Sequence, residues 1–148
     1  MNSQARAARI RRLVVLGGVV LAQAGCASFS KKGGSVANVN PEWEVSVQDV
    51  KQMMDAHKPM LLLDVREPGE YATCKIAGST LVPLSELGNR VSEVRKMAGD
   101  RPVIIHCHHG GRSLRAAELL RGQGLADCKS MAGGIDLWST AIDSSVPR

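Results

Sequence analysis

Val103-Ile104-Ile105-His106-Cys107-His108-His109-Gly110-Gly111-Arg112-Ser113 is the stretch on which the fold of this chain turns. A short apolar run stops at a cysteine. Two glycines and an arginine follow, and Leu114-Arg115-Ala116-Ala117-Glu118-Leu119-Leu120 then takes up an amphipathic pattern. This is the succession of a buried strand, a tight loop and a helix that begins where the loop ends. It puts Cys107 at the carboxyl end of a strand, facing a helix N-terminus, where positive partial charge favours a thiolate. The thiolate is the strong nucleophile; a free cysteine is mostly protonated at neutral pH. Gly110 and Gly111 permit positive φ, so that successive N–H groups can point inward around an anion. Arg112 adds a permanent charge and a fork of donors. The competing view is a β-α turn that merely contains a cysteine.

Working outward, strands alternate with helices. Trp43-Glu44-Val45 reads as a short strand. Ser46 is placed to cap a helix to about His57, with Val47, Val50, Met53 and Met54 on one face. Met60 to Val65 is a continuous apolar run broken by Asp64, as in a strand buried on both faces. Glu67 to Ala72 reads as a short helix with Pro68 in its first turn. Gly78 to Pro83 holds another strand, and Ser85 is placed to cap a helix through about Met97, with Leu87, Val91 and Val94 inward. The helix after Cys107 runs to Gly122 or Gly124, Cys128 to Met131 forms the last strand, and Ile135 to Trp138 a short closing helix. The expectation is a three-layer α/β fold with a five-stranded, mostly parallel sheet flanked by helices. Ligands of such sheets bind outside the carboxyl ends of the strands, where Asp64 and Cys107 both fall.

His106, Cys107, His108 and His109 invite a metal reading, but four contiguous residues splay around a loop and suit one tetrahedral ion poorly. Neither metal nor cofactor is expected. His108 and His109 belong at the pocket mouth, either polarising an anionic substrate or simply exposed. His106 is expected to point away from the pocket, and His57 to sit at a helix end on the surface.

The 148 residues allow one modest domain. The net charge of +5 belongs to the N-terminus, because Arg6, Arg9, Arg11 and Arg12 precede every acidic residue, the first of which is Glu42. Without those four, 15 basic side chains face 14 acidic ones. With no basic stripe and few aromatics, nucleic acid is excluded as a partner. The arginines lead into Leu13-Val14-Val15-Leu16-Gly17-Gly18-Val19-Val20-Leu21-Ala22, an apolar run short for a bilayer span and suited to a secretory signal. Ala24-Gly25-Cys26-Ala27-Ser28 resembles a bacterial lipobox with Cys26 lipidated, although Gln23 stands where a leucine-like residue is usual. Ala22-Gln23-Ala24 offers a general signal-peptidase site instead, and an uncleaved anchor is the third possibility. The expected plan is a signal peptide over 1–25, a lipid-attachment cysteine and flexible linker over 26–41, and the domain over 42–148. All three export routes put the domain outside the cytoplasm, in the cell envelope facing the periplasm, with a lipid anchor as the expected membrane partner. Lipidation of Cys26 leaves Cys74, Cys107 and Cys128, an odd number, so at least one thiol is free or pairs with another molecule. Cys74 and Cys128 read as small buried residues rather than a disulfide.

Four pieces carry a family resemblance: Leu62-Leu63-Asp64-Val65-Arg66-Glu67-Pro68-Gly69-Glu70-Tyr71, Ile76-Ala77-Gly78-Ser79, Cys107-His108-His109-Gly110-Gly111-Arg112-Ser113, and Ala132-Gly133-Gly134-Ile135-Asp136-Leu137-Trp138. In this order, over roughly Trp43 to Pro147, the chain resembles a single-domain rhodanese, a sulfurtransferase. One departure is Cys74-Lys75, where many members carry Gly-His. The resemblance implies that Cys107 takes a sulfane sulfur from a donor such as thiosulfate, holds it as a persulfide and passes it to a thiol, or to cyanide in assays. It implies that amides of His108, His109, Gly110, Gly111 and Arg112 stabilise the sulfur, and that Arg112 binds an anionic donor. It assigns supporting roles to Asp64, Arg66 and Ser113, the first two as a carboxylate near the loop and an arginine holding backbone. A plain surface ion pair is the alternative for Asp64 and Arg66. Related phosphatases space the motif as Cys-x5-Arg. Cys107 to Arg112 is Cys-x4-Arg, a tighter cradle that favours sulfur over phosphatase or arsenate reductase chemistry. A non-enzymatic rhodanese-like module that binds a partner or senses redox state remains as a second class.

Overall fold

A computed structural model describes residues 40–147. The expected signal segment, Cys26 and nearly all of the expected linker lie outside these residues. The chain runs β1 (Glu44–Val45), α1 (Val47–Asp55), β2 (Leu61–Asp64), α2 (Pro68–Thr73), β3 (Thr80–Leu81), α3 (Leu84–Leu87), α4 (Val91–Ala98), β4 (Val103–His106), α5 (Gly111–Gly122), β5 (Cys128–Met131) and α6 (Gly134–Ala141). The five strands form one sheet in the order β1-β5-β4-β2-β3, and every adjacent pair is parallel. β4 therefore lies at the centre, between β2 and β5.

Side chains alternate along each strand, and the alternation builds two cores. Leu61, Leu63 and Val65 share one face of the sheet with Val103, Ile105 and Cys107, packed under Leu87, Val94, Ala116, Ala117 and Leu120 from α3, α4 and α5. Leu62 and Ile104 face the other way, onto Val47 and Val50 of α1 and Ile135 and Trp138 of α6. Burial on both faces explains why β2 and β4 read as unbroken apolar runs.

Three helices depart from their expected bounds by more than a residue. The helix expected from a Ser85 cap to Met97 is two helices. Pro83 precedes the first of them, and its side chain makes no capping bond. The chain turns at Gly88–Arg90, where Asn89 N–H donates to Glu86 O at 3.0 Å and Arg90 N–H to Leu87 O at 3.1 Å. These are tightened three-residue bonds, and Gly88 is a poor residue for continuing a helix. Arg90 bridges the break, pairing with Glu86 at 2.9 Å and Glu93 at 2.8 Å. α1 stops at Asp55 rather than His57, because His57 turns to φ +50°. α6 continues to Ala141, three residues past Trp138. Ser46 caps α1 as expected, its Oγ accepting from Asp49 N–H at 3.1 Å. Cys74, Cys107 and Cys128 are all free thiols.

Candidate active site

Cys107 is the first residue past β4, and it is 2 % exposed. Its Sγ accepts a hydrogen bond from Gly110 N–H at 3.1 Å. Gly110 reaches this position at φ +109°, in left-handed backbone that side chains rarely adopt, and serves as the N-cap of α5. The bare glycine leaves its amide free to turn back on the sulfur. Beneath the loop, Ser113 Oγ donates to Gly110 O at 2.9 Å and lies 3.6 Å from Sγ. Ser130 Oγ of β5 meets Ser113 Oγ at 2.7 Å, so a buried hydroxyl pair braces the turn from the central sheet.

The loop is held from its outer side by α6. Ile135 N–H donates to Cys107 O at 2.9 Å and Asp136 N–H to His108 O at 3.1 Å. These first-turn amides have no acceptor within their own helix, so the loop carbonyls satisfy them. The approach requires Gly134: a Cβ there would run into the carbonyl oxygens of both Cys107 and His108, and its φ is +57°. The Gly133-Gly134 pair, which in the sequence was only one piece of the family resemblance, lets α6 dock against the Cys107 loop.

Asp64 and Arg66 form a buried pair, 0 % and 3 % exposed at the side chain, with Arg66 Nη2 2.6 Å from Asp64 Oδ2. The surface ion pair is thereby excluded. Arg66 also donates to Cys74 O at 2.8 Å, which ties the segment after α2 to the end of β2. In parallel register Asp64 stands opposite His106, on the sheet face away from Cys107, and His106 Nε2 lies 3.6 Å from Asp64 Oδ2. His106 thus points away from the pocket as expected, but into the core. Burial holds its pKa down to about 4, with Asp64 opposing and Arg66 reinforcing that shift.

Glu70 is a site residue that no local feature of the sequence marks. Its carboxylate grips Arg112 with two bonds, from Nη1 and Nη2, both 2.7 Å. The pairing joins α2 to the first turn of α5 across 42 residues of chain. Hydrogen bonding from Arg112 lowers Glu70 to about 2, and Arg112 is raised in turn, first by Glu70 and in smaller measure by the Cys107 sulfur beside it. Glu67-Pro68 ahead of Glu70 signalled only a helix start, and Glu67 N–H does donate to Glu70 Oε2 at 3.0 Å. Arg112 is a cation already matched, not one free to take an anion. A cleft of about 170 Å³ opens here, lined by Arg66, Glu70, Cys74, His108 and Ile135 among others. His108 lines this cleft; His109 stacks on it, ring centroids 4.1 Å apart, and is well exposed.

A parallel α/β sheet, a thiol at the carboxyl end of its central strand and a short glycine-arginine loop closing on that thiol define a cysteine-loop protein. Residues 46–141 match the model of the rhodanese-like domain, and the chain belongs to that family. The adenylyltransferase and sulfurtransferase MOCS3-2 of Zea mays is 32 % identical over 124 residues, which are 80 % of this chain and 26 % of that protein. The chain thus spans about a quarter of that longer relative. The putative sulfur carrier protein YrkF of Bacillus subtilis is 33 % identical over 113 residues, 75 % of this chain and 60 % of its own length. Among solved structures, reduced CoADR-RHD of Bacillus anthracis superposes with a TM-score of 0.62 at 30 % identity, covering 72 % of this chain and 18 % of that one.

Proposed function

We propose that this protein is a sulfurtransferase that carries a sulfane sulfur on Cys107. The observation that carries the reading is the Gly110 N–H aimed at Sγ from a Cys-x4-Arg loop, at the carboxyl end of the central strand. In the first step the Cys107 thiolate attacks the outer sulfur of a donor such as thiosulfate. A new S–S bond forms as the donor's S–S bond breaks, and sulfite departs with the electron pair. In the second step an acceptor thiolate or cyanide attacks that outer sulfur, and Cys107 leaves as thiolate. The outer sulfur stands about 2 Å beyond Sγ, as in any S–S bond, toward the amides of the first turn of α5. Those amides have no acceptor within their helix, and the positive end of α5 favours the anionic persulfide.

Glu70 shapes the donor preference. With Arg112 already neutralised, the site offers backbone dipoles rather than net positive charge, which suits a protein or thiol persulfide at least as well as a small dianion. The sulfurtransferase and sulfur-carrier names of the relatives support this reading.

The purified protein is expected to form thiocyanate from thiosulfate and cyanide, and Cys107→Ser to abolish it. Incubation with donor alone should add about 32 Da, one sulfur atom, to Cys107. Turnover of an aryl phosphate without sulfur transfer would overturn the assignment. A thiol found only as sulfenic acid or mixed disulfide would favour the redox-sensing module instead.

A further inference from the structure

We propose that His108, His109 and Asp136 form a binding site for one divalent transition-metal ion at the mouth of the Cys107 loop. One donor atom from each residue can be chosen so that all three lie within 4.8 Å of one another. His109 Nδ1 is 3.9 Å from Asp136 Oδ2, and the two imidazoles are stacked with 14° between their planes. The contiguous histidines alone make a poor site, which is why the sequence argued against metal. The fold changes the donor set: it sends His106 into the core and brings in a carboxylate from α6.

The frame is rigid where it needs to be. Asp136 N–H donates to His108 O and Ile135 N–H to Cys107 O, so the segment bearing the carboxylate is hydrogen-bonded to the segment bearing the imidazoles. Gly134 permits that approach. The side chains are partly or well exposed, so they can rotate and an ion can enter from solvent. Around a tetrahedral ion with bonds of about 2.0–2.1 Å, ligand atoms stand roughly 3.3 Å apart. Closing the remaining gap takes unstacking of the imidazoles and rotation of the Asp136 carboxylate toward them. Two imidazoles and one carboxylate suit Zn²⁺, Co²⁺, Ni²⁺ or Cu²⁺ and disfavour Mg²⁺ or Ca²⁺, which prefer oxygen. Three protein ligands leave a fourth position open, and His108 lines the cleft. An ion there narrows the entrance, so its occupancy should slow sulfur transfer; the binding itself does not depend on that activity.

The test titrates the full chain with ZnCl₂ in a non-chelating buffer, in a Cys107→Ser background that removes the nearest thiolate. One equivalent should bind, and His109→Gln and Asp136→Asn should each weaken it at least tenfold. His57→Gln, an exposed histidine elsewhere, should leave it unchanged. Cobalt(II) in the same site should give visible ligand-field bands without a thiolate charge-transfer band. Thermal melts of each variant guard against loss of fold. Equal affinity in the His109 and Asp136 variants would overturn the proposal, as would binding that vanishes with Cys107 or shows thiolate charge transfer.

Discussion

Individual side chains around Cys107 have two kinds of task, holding charge and excluding it. His106 shows the second. Its pKa of about 4 against an ordinary 6.5 means that between these values the unfolded chain binds a proton that the folded one refuses. Stability is therefore complete above about pH 6.5 and falls as the pH drops through about 4, by up to about 3 kcal/mol. Thermal melts between pH 7.5 and 4 should show this acid loss, and His106→Phe should remove most of it; equal slopes in both proteins would contradict the assignment. Glu70 has the other task. Lowered to about 2, it stays ionised across that whole range, and the contribution of its pair with Arg112 to stability is complete above about pH 4.5 and lost as the pH falls through about 2. Both side chains are about one-third exposed, so the pair contributes on the order of 1 kcal/mol or less. Its larger effect is on charge. Glu70→Gln should release Arg112 and lower the KM for thiosulfate several-fold with little change in kcat; an unchanged KM would mean that Arg112 does not meet the donor. The cysteine, the glycines and the arginine of this site were legible because a short contiguous loop carries them. Glu70 was not, because its partner lies 42 residues away and nothing local marks the pair.

At the scale of elements, the loop is clamped between the start of α5 and the start of α6. Gly134 is the joint. An added Cβ meets backbone carbonyls, which cannot swing aside, and the left-handed backbone adds strain. Gly134→Ala should cost about 2 kcal/mol or more in urea unfolding and reduce kcat/KM at the same time, because it pries α6 from the Cys107 and His108 carbonyls. Gly122, the last residue of α5, has open space around its Cα and no positive φ. Gly122→Ala should stabilise by about 0.5–1 kcal/mol and leave activity alone. A loss of stability there would show that the end of α5 has another constraint. Element types were readable from periodicity throughout, but one expected helix is two, for a clear reason. Leu87, Val91 and Val94 do face the core, yet Gly88 and the three-residue bonds at Asn89 and Arg90 split their helix. Inward spacing alone cannot tell one helix from two that share a face.

For the molecule as a whole, the sheet order puts the strand that ends at Cys107 in the middle and both cores against it, so Cys107 is supported from beneath by a buried scaffold. The N-terminal residues carry a separate prediction. We propose export with lipidation at Cys26, on the arginine-rich start, the short apolar run and the Ala24-Gly25-Cys26 sequence. The mass of the mature N-terminus isolated from membranes should show a diacylglyceryl cysteine; a chain beginning at Met1 would refute it. The sequence by itself determined the alternating α/β plan, the parallel sheet and the place of Cys107 at the carboxyl end of a strand, because periodicity and loop composition are local properties. Only the tertiary structure decided that Arg112 is neutralised, that His106 is buried beside Asp64, and that Asp136 faces His109. Each of these depends on which distant elements the sheet order brings together, and that proximity is not written into the spacing of any one segment.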